Sequence, residues 1–546
     1  MSERAAGAKH GQVRSSAGQV SPARRTAFAI LLKLESERRG HSDERPGHAV
    51  EPSSGTNELP SEAEEPQIQS DEQSIQFHEQ PTQSDEFEET TEETGRSHLH
   101  SDDLLRDRRV CALGLADRNL TTTLVMGVLR WQLALDGLIR PLLHRPNARL
   151  DTEVRLALRL GAYQLLYLDR IPARAVLSET VALVREVGHH FACGMVNAVL
   201  RKLATETAAR ATRLRARDAY PEWMVERWVD FYGAPMAETI CEQGQRQAVS
   251  TVRLTDASVE SELEGVQLDA GRLLNCARHV VAGDVTSQAA FAAGRVRIQD
   301  EGSQLVAEIA AAGLRGRSAG SILDMCAAPG GKTFILAERH EEARVVACDA
   351  SLRRLERLRE RIQRMDGAQA GVHDGPERGV LSRIECRQVD ATMARDGTPA
   401  EGSFDVVLAD VPCSGTGTLG RNPEIRVRLS LEDVQRQAEK QKAILRNALA
   451  EVRRGGVVVY STCSLEPEEN EQVIAAVLGE MGGDGGGRVR QLALGPMIDS
   501  LAADGRLIPA AVEALKGCIS AHGSLTLLPG AFSTDGFFVS MLERTN

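Results

Sequence analysis

The chain lacks the cysteine and histidine patterns that mark metal and disulfide sites. Its ten cysteines form no CxxC pair, and there is no HExxH motif. Zinc ligands usually occur at such short spacings, and disulfide scaffolds are usually short secreted chains. We therefore expect no bound metal, and free thiols in a reducing cytoplasm.

Long apolar runs and aromatic residues are also scarce. No run reaches the roughly 18–20 apolar residues that span a bilayer, and the opening stretch MSERAAGAKHGQVRSS has no apolar segment typical of a secretion signal. We expect a cytoplasmic protein without a membrane partner. Aromatic residues make up 3% of the chain, so base stacking is not expected to dominate any contact with nucleic acid.

The net charge of −12 is concentrated in the segment 41–103, which holds 18 acidic residues against Arg45 and Arg96. The rest of the chain is mildly basic, so the overall acidity is no argument against an RNA substrate. Because it has few large apolar residues, the segment cannot bury enough surface to offset the conformational entropy lost on ordering. We interpret it as a disordered loop insertion, with an acidic interaction tail as the alternative.

Apolar residues recur at helical spacing on both sides of this insertion. One stripe comprises Leu120, Leu124, Val128, Trp131, Leu135 and Leu138. Similar stripes over 22–39, 154–168, 174–188 and 194–204 predict an all-α domain over 22–205, interrupted by 41–103. The aromatic cluster in 220–233 indicates packing between subdomains, and short alternating runs up to residue 300 predict a small α+β bridging subdomain over 220–300.

Two near-continuous apolar runs, FDVVLAD (404–410) and GGVVVYSTC (455–463), predict strands buried on both faces, as in the parallel sheet of a Rossmann-like α/β domain over 301–546. Ligands bind outside the carboxyl ends of such strands. Cys413 and Cys463 follow these two strands, so we expect them along the same crevice.

The stretch SILDMCAAPGGKT (321–333) predicts a strand, a tight turn and a helix. A phosphate-binding GxxxxGK[ST] loop would need glycine where Cys326 stands. The remaining small-residue turn brings a ligand close to a helix N-terminus, which favours a carboxylate. The candidate cofactor-binding residues of this turn are Cys326, Ala327, Ala328, Pro329, Gly330, Gly331 and Lys332.

Acidic residues end the next two predicted strands. Asp349 is suited to hold ribose hydroxyls, and Asp390 could reach an adenine. A carboxylate at the helix and a ribose at an acid suit S-adenosylmethionine, which has no phosphates. The two cysteines suit cytosine C5 chemistry, because a thiolate that adds to C6 makes C5 nucleophilic.

The motifs CAAPGGKT, DVPCSGTG, RNPEIR, STCSLEPEEN and DGFFVSMLER resemble those of RNA 5-methylcytosine methyltransferases of the Sun family. LADRNLTTTLVMGVLRW and GMVNAVLRKLA resemble the NusB-like RNA-binding domain of the Sun-type (RsmB) enzymes. The resemblance implies an S-adenosylmethionine-dependent enzyme acting on cytosine C5 of 16S rRNA or its small-subunit precursor, and we expect a monomer. The chain departs from the family pattern at Val411, where alanine is usual.

The resemblance also implies the roles of three residues. Cys463 would be the nucleophile, Cys413 would assist release of the methylated RNA, and Asp410 would contact the cytosine N3/N4 edge near the methyl donor. Two groups of basic residues are candidate phosphate contacts: Arg118, Arg130, Arg201 and Lys202 in the helical domain, and Arg421, Arg426 and Arg428 after Cys413. A tRNA 5-methylcytosine methyltransferase and a non-catalytic RNA-binding or antitermination factor remain alternatives.

Overall fold

A computed structural model describes residues 19–42, 101–205, 214–370, 383–393, 402–481 and 488–545. The acidic insertion predicted at 41–103 lies almost wholly outside the described residues. Among those residues, no helix combines the length and the apolar character needed to cross a membrane.

The N-terminal part is helical, as predicted. Its helices are Pro22–Ser42, Ser101–Leu105, Arg108–Cys111, Leu115–Ile139, Thr152–Tyr167, Ala173–Glu186 and Cys193–Thr205. The stripe of the long helix is buried at Leu124, Val128 and Leu135, within one apolar core that also takes in the helix beginning at Pro22. The sequence on either side of the insertion therefore packs into one bundle.

Helices Glu222–Tyr232 and Ala234–Gln245 follow, and then an antiparallel sheet. Its strands are β1 (Thr251–Leu254), β2 (Gln267–Ala270), β3 (Ala277–Ala282) and β4 (Val296–Ile298), in the order β2-β3-β1-β4. The predicted α+β element is thus present. The domain limits at 205, 220, 300 and 301 stay predictions.

The C-terminal part is a Rossmann-like α/β fold, as predicted. Its strands are β5 (Ser321–Asp324), β6 (Arg344–Asp349), β7 (Ile384–Gln388), β8 (Phe404–Asp410), β9 (Val452–Thr462), β10 (Val489–Leu492), β11 (Leu525–Leu527) and β12 (Phe537–Arg544). The sheet order is β10-β12-β9-β8-β5-β6-β7, with β11 paired to β12. Strands β5 to β9 run parallel, whereas β12 is antiparallel to β9.

The short helix Ala289–Ala292 belongs to the four-stranded sheet. Helices cover the Rossmann-like sheet and the loops around it: Glu301–Ala312, Gly331–Arg339, Leu352–Ala370, Ile425–Arg428, Leu431–Glu451, Glu471–Glu480, Gly495–Ala503 and Val512–Lys516. Strands β8 and β9 are direct neighbours, with Asp410 opposite Ser461. The prediction that the two cysteine-bearing strands share one sheet edge is therefore confirmed.

Arg426 joins the helical part to the loop that follows Cys413. Its guanidinium is fully buried, donates hydrogen bonds to the carbonyl oxygens of Arg130 (2.9 Å) and Gly244 (3.2 Å), and lies 4.1 Å from the Tyr220 ring centre. Arg130 in turn donates to the Gly420 carbonyl at 2.8 Å. The prediction that Arg426 contacts RNA phosphates is wrong, because its charge is already enclosed by carbonyl groups and an aromatic ring.

Replacing Arg426 by alanine should destabilise the protein. The carbonyl groups of Arg130 and Gly244 would lose a charged donor inside a packed junction, and we expect the unfolding free energy to fall by about 3 kcal/mol. Urea denaturation of the two proteins measures this loss. Weaker RNA binding at unchanged stability would instead restore Arg426 as a phosphate contact.

Candidate active site

The thiols of Cys413 and Cys463 face each other across the carboxyl ends of β8 and β9. Their sulfur atoms are 3.4 Å apart, and both residues are free cysteines with partly buried side chains. The pKa of Cys413 is raised well above its usual range, mainly by the hydrogen bond with Cys463 and to a smaller extent by burial of the thiol. The structure thus brings together the two cysteines that the sequence predicts for one crevice.

The loops that carry these cysteines touch through their backbones at Gly417. Its N–H donates to the Cys463 carbonyl at 2.9 Å, and its own carbonyl accepts from the Gly536 N–H at 2.8 Å. A Cβ atom at Gly417 would lie 2.4 Å from the Gly536 carbonyl oxygen. Only glycine fits this approach, which fixes the position of the Cys463 backbone.

Asp410 ends β8 beside the two thiols. One carboxylate oxygen accepts from the Lys332 ammonium at 2.7 Å, and the other accepts from the Ser461 hydroxyl at 2.6 Å. Burial by itself would lower the pKa of Lys332, but the charges of Asp410, Cys463 and Asp324 outweigh it, so this pKa is raised. The sequence predicted Lys332 only as part of the small-residue turn 326–332, hereafter the cofactor turn. In the structure it also presents a cation to the site formed by Cys413 and Cys463.

The small-residue turn ends at Gly330, which precedes the helix Gly331–Arg339. Gly330 has φ of 98°, and a Cβ atom there would lie 2.4 Å from Leu358. Ala327 and Ala328 are buried, and burial raises the pKa of Cys326 well above its usual range. The turn thus holds a helix N-terminus close to the sheet edge, as predicted from its residues.

Asp349 and Asp390 follow their predicted strands but differ in environment. Asp349 is buried, and its two oxygens accept the N–H groups of Ala328 (3.2 Å) and Ser351 (3.0 Å). It therefore braces the cofactor turn. Asp390 is exposed and accepts from the N–H and the hydroxyl of Thr392. Their roles towards a ribose and an adenine stay predictions.

Asp324, at the end of β5, is a functional candidate that sequence reasoning missed. It accepts from the Thr333 hydroxyl at 2.7 Å, while its other oxygen makes no well-formed hydrogen bond within the described part of the chain. Burial raises the pKa of Asp324 to about 7. Its position at a strand end, two residues before Cys326, was the available signal.

The raised pKa of Asp324 predicts a pH dependence of stability. An aspartate in the unfolded chain has a pKa of about 3.9, so between pH 4 and 7 the folded state holds a proton that the unfolded state has lost. Stability should therefore fall by about 1 kcal/mol per pH unit as pH rises from 5 to 7, and level off above that. Denaturation of the protein and of Asp324→Asn at each pH measures this, and parallel curves for the two would contradict it.

Comparison with known proteins identifies the family. Residues 311–543 match the family described as 16S rRNA methyltransferase RsmB/F, and residues 73–205 match the NusB family. The probable ribosomal RNA small subunit methyltransferase B of Bacillus subtilis (strain 168) is 31% identical over 443 residues, which cover 78% of this chain and 91% of that protein. The chain belongs to the RsmB/F family.

A second relative agrees with this membership, and a solved structure shares the fold. The ribosomal RNA small subunit methyltransferase B of Pseudomonas syringae pv. tomato is 33% identical over 389 residues, covering 68% of this chain and 80% of that protein. The crystal structure of PH0851 superposes with a TM-score of 0.61 at 21% identity, covering 81% of this chain and 94% of that chain. Because the two sequences are only 21% identical, this likeness supports the fold of the present RsmB/F chain and nothing further.

In this RsmB/F chain, the helix Glu222–Tyr232 holds the loop that follows Cys463. Trp228 donates to the Glu466 carboxylate at 3.1 Å, Arg227 pairs with Glu466 and Glu468, and the Tyr232 hydroxyl donates to the Leu465 carbonyl at 2.7 Å. Trp228 and Tyr232 of the predicted cluster therefore pack as expected, whereas Phe231 is exposed, and the division into subdomains stays a prediction. Val411, the departure from the family pattern, is buried and continues the β8–β9 pairing through its N–H.

The other basic residues proposed as phosphate contacts differ in their surroundings. Arg421 lies between Asp535 (2.6 Å) and Asp300 (3.0 Å), and it also donates to a backbone carbonyl, so its charge is engaged within the protein. Arg428 is half-buried. Arg118, Arg201 and Lys202 are exposed on the helical part, and their predicted contacts with RNA phosphates stay predictions.

Proposed function

We propose that this RsmB/F chain methylates C5 of a cytosine in 16S rRNA through a covalent bond between Cys463 and C6. The observation that carries the proposal is the pair of facing thiols beside Asp410 and Lys332, at the sheet edge where the cofactor turn begins. Cytosine C5 chemistry needs a soft nucleophile for C6 and a base for the C5 proton, and the two thiols can supply these while the carboxylate can orient the base.

The residues around the turn fit S-adenosylmethionine. Asp324 offers a buried acceptor oxygen that lacks a well-formed hydrogen bond, which suits an amino or hydroxyl donor. The helix N-terminus at Gly331 suits a carboxylate. We assign the cofactor site to this turn together with Asp349, Asp390 and Asp410. When bound, S-adenosylmethionine supplies an electrophilic methyl group.

Cys463 begins the reaction by adding to the base. The Lys332 ammonium interacts electrostatically with the Cys463 sulfur, and the thiolate is the nucleophilic form of a cysteine. The thiolate forms a bond to C6, the C5–C6 double bond opens, and its electron pair makes C5 nucleophilic. Asp410, fixed by Lys332 and Ser461, can orient the cytosine through the N3/N4 edge.

Cys413 completes the reaction after C5 has gained its methyl group. Cys413 first loses its own proton to solvent water, and because its pKa is raised, the resulting thiolate is a stronger base than an ordinary cysteine thiolate. Loss of the C5 proton to this group restores the C5–C6 double bond and breaks the bond between C6 and the Cys463 sulfur. The methylated base is thereby released and Cys463 is a thiolate again.

A duplexed cytosine cannot reach thiols that are partly buried at a sheet edge. The target base must leave its stack, so a loop or a single-stranded segment is the expected substrate. The match of residues 73–205 to the NusB family and the small-subunit names of the relatives support rRNA as that substrate.

Nucleoside analysis tests the proposal. The purified protein is incubated with S-adenosylmethionine and either unmodified 16S rRNA or unmodified tRNA, and each RNA is digested to nucleosides for mass spectrometry. We expect 5-methylcytidine in 16S rRNA alone. Product in tRNA alone would favour the tRNA alternative, N4-methylcytidine would refute the C5 chemistry, and no product in either RNA would favour a non-catalytic factor.

A further inference from the structure

One buried carboxylate, that of Glu469, contacts both cysteine-bearing loops. Glu469 is fully buried in the short turn Pro467–Glu469 that follows the Cys463 loop. Its carboxylate accepts from the Ser414 hydroxyl and from the Ser464 hydroxyl. Ser414 directly follows Cys413, and Ser464 directly follows Cys463. The same carboxylate therefore reaches the residue next to each thiol.

The other contacts of Glu469 strengthen this link. The carboxylate also accepts from the Ser414 N–H at 2.8 Å and from the Gln441 side-chain amide at 3.1 Å. The two serine hydroxyls are themselves 3.1 Å apart. Gln441 donates in addition to the Pro412 carbonyl at 2.9 Å, so the residues on both sides of Cys413 are held by one connected group.

The backbone of Glu469 is fixed as well. Its carbonyl accepts from the Tyr460 hydroxyl at 2.6 Å, and Tyr460 is a buried residue of β9. The adjacent Asn470 accepts from the Thr462 hydroxyl at 2.6 Å and donates to the Ser464 carbonyl at 2.9 Å. The carboxylate therefore acts from a turn that is anchored by hydrogen bonds to the strand that leads to Cys463.

We propose that Glu469 is a positioning residue that sets the spacing of the Cys413 and Cys463 thiols through Ser414 and Ser464. The thiols are 3.4 Å apart, and both must approach the same cytosine ring, so a small change in either loop would misplace one of them. The claim that this spacing matters for methyl transfer rests on the function proposed above. The claim that Glu469 sets the spacing rests only on its hydrogen bonds to the two loops.

Glu469→Gln is the most direct variant. An ionised carboxylate can accept all four donors that converge on Glu469, whereas an amide has one acceptor oxygen and presents N–H groups to the rest. Loss of one serine contact would let one loop shift. We expect the turnover number kcat to fall about a hundredfold, with KM for 16S rRNA within about threefold, because the lost interaction affects the thiols and not RNA binding.

A chemical probe reports the spacing without any methyl transfer. Phenylarsine oxide joins two neighbouring thiols, forming two As–S bonds with loss of one water molecule, and digestion followed by mass spectrometry identifies the joined peptides. We expect rapid bridging of Cys413 to Cys463 in the unchanged protein and bridging about a hundredfold slower in Glu469→Gln. The single variants Ser414→Ala and Ser464→Ala, which each remove one contact, should slow it about tenfold.

Glu424→Gln is the matched control. Glu424 is also a buried glutamate that accepts from a serine, with the Ser101 N–H and hydroxyl both at 3.0 Å, but its carboxylate holds the start of the helix Ser101–Leu105. It should keep both the bridging rate and kcat, even at some cost in stability. Melting curves establish which variants fold. If Glu469→Gln does not fold, the bridging rates of Ser414→Ala and Ser464→Ala test the positioning role of Glu469.

Bridging at the unchanged rate in folded Glu469→Gln, or in both serine variants, would overturn the proposal. An equal loss of bridging in Glu424→Gln would also overturn it, because the effect would then reflect general destabilisation. If the unchanged protein bridges its thiols but methylates neither 16S rRNA nor tRNA, the proposed function fails, and the bridging rates alone still decide the role of Glu469.

Discussion

Cys463→Ala is expected to abolish methyl transfer, with a loss of at least about 10,000-fold in kcat, because the substitution removes the thiol assigned to the bond with C6. The turn assigned to the cofactor lies between β5 and the helix Gly331–Arg339, whereas Cys463 follows β9. Because the substitution leaves this turn unchanged, binding of S-adenosylmethionine should persist. Transfer of a radiolabelled methyl group to 16S rRNA measures the first effect. Isothermal calorimetry with the cofactor measures the second.

Cys518→Ala is the control for this substitution. Cys518 is likewise a partly buried free cysteine, but its thiol contacts the Ala514 carbonyl far along the chain from the site. The control should retain activity. Normal turnover by Cys463→Ala would remove Cys463 from the role of nucleophile, and loss of cofactor binding together with activity would point to misfolding instead.

Cys413→Ala is expected to trap the protein on its RNA. Without the second thiol, the C5 proton of the methylated base is not removed and the bond between Cys463 and C6 persists. A band of protein joined to RNA should then accumulate on denaturing gels, whereas the unchanged protein should show little, because it completes the reaction.

The double variant Cys413→Ala/Cys463→Ala supplies the control for trapping. It lacks the thiol that forms the bond and should give no joined band. Rapid turnover by Cys413→Ala without any joined band would contradict the release role of Cys413. A joined band that persists in the double variant would show that another residue attacks the base.

The sheet edge and its cysteines could be predicted because the relevant information is local. Strands β8 and β9 are continuous apolar runs, which occur where both faces of a sheet are covered. Once both are placed in one parallel sheet, Cys413 and Cys463 must meet at its carboxyl edge. Which thiol attacks could not be predicted from position, and that assignment rests on resemblance to the family.

Other features depend on contacts between distant residues. Arg426 lies in a basic loop typical of an RNA-binding surface, yet it is enclosed by carbonyl groups from Arg130 and Gly244. The Lys332–Asp410 pair and the Glu469 contacts likewise join residues that are far apart in the chain. Periodicity and spacing report which face of an element is buried, but not which polar group meets another inside the fold.

Asp324 illustrates the same limit for a single residue. An aspartate at a strand end resembles Asp349 and Asp390 in sequence, but only the structure shows that Asp324 is buried and that one of its oxygens makes no well-formed hydrogen bond within the described residues. The shift of its pKa to about 7 follows from that burial, which the sequence does not specify.

The most direct test of the account is to locate the covalent bond in the trapped complex of Cys413→Ala with 16S rRNA. Nuclease and protease digestion of the complex, followed by mass spectrometry, identifies the joined peptide and nucleotide. The account predicts the Cys463 peptide linked to a single cytosine that carries a methyl group. A linkage through any other residue, or 5-methylcytidine formed with no linked species at any time in the reaction, would contradict it.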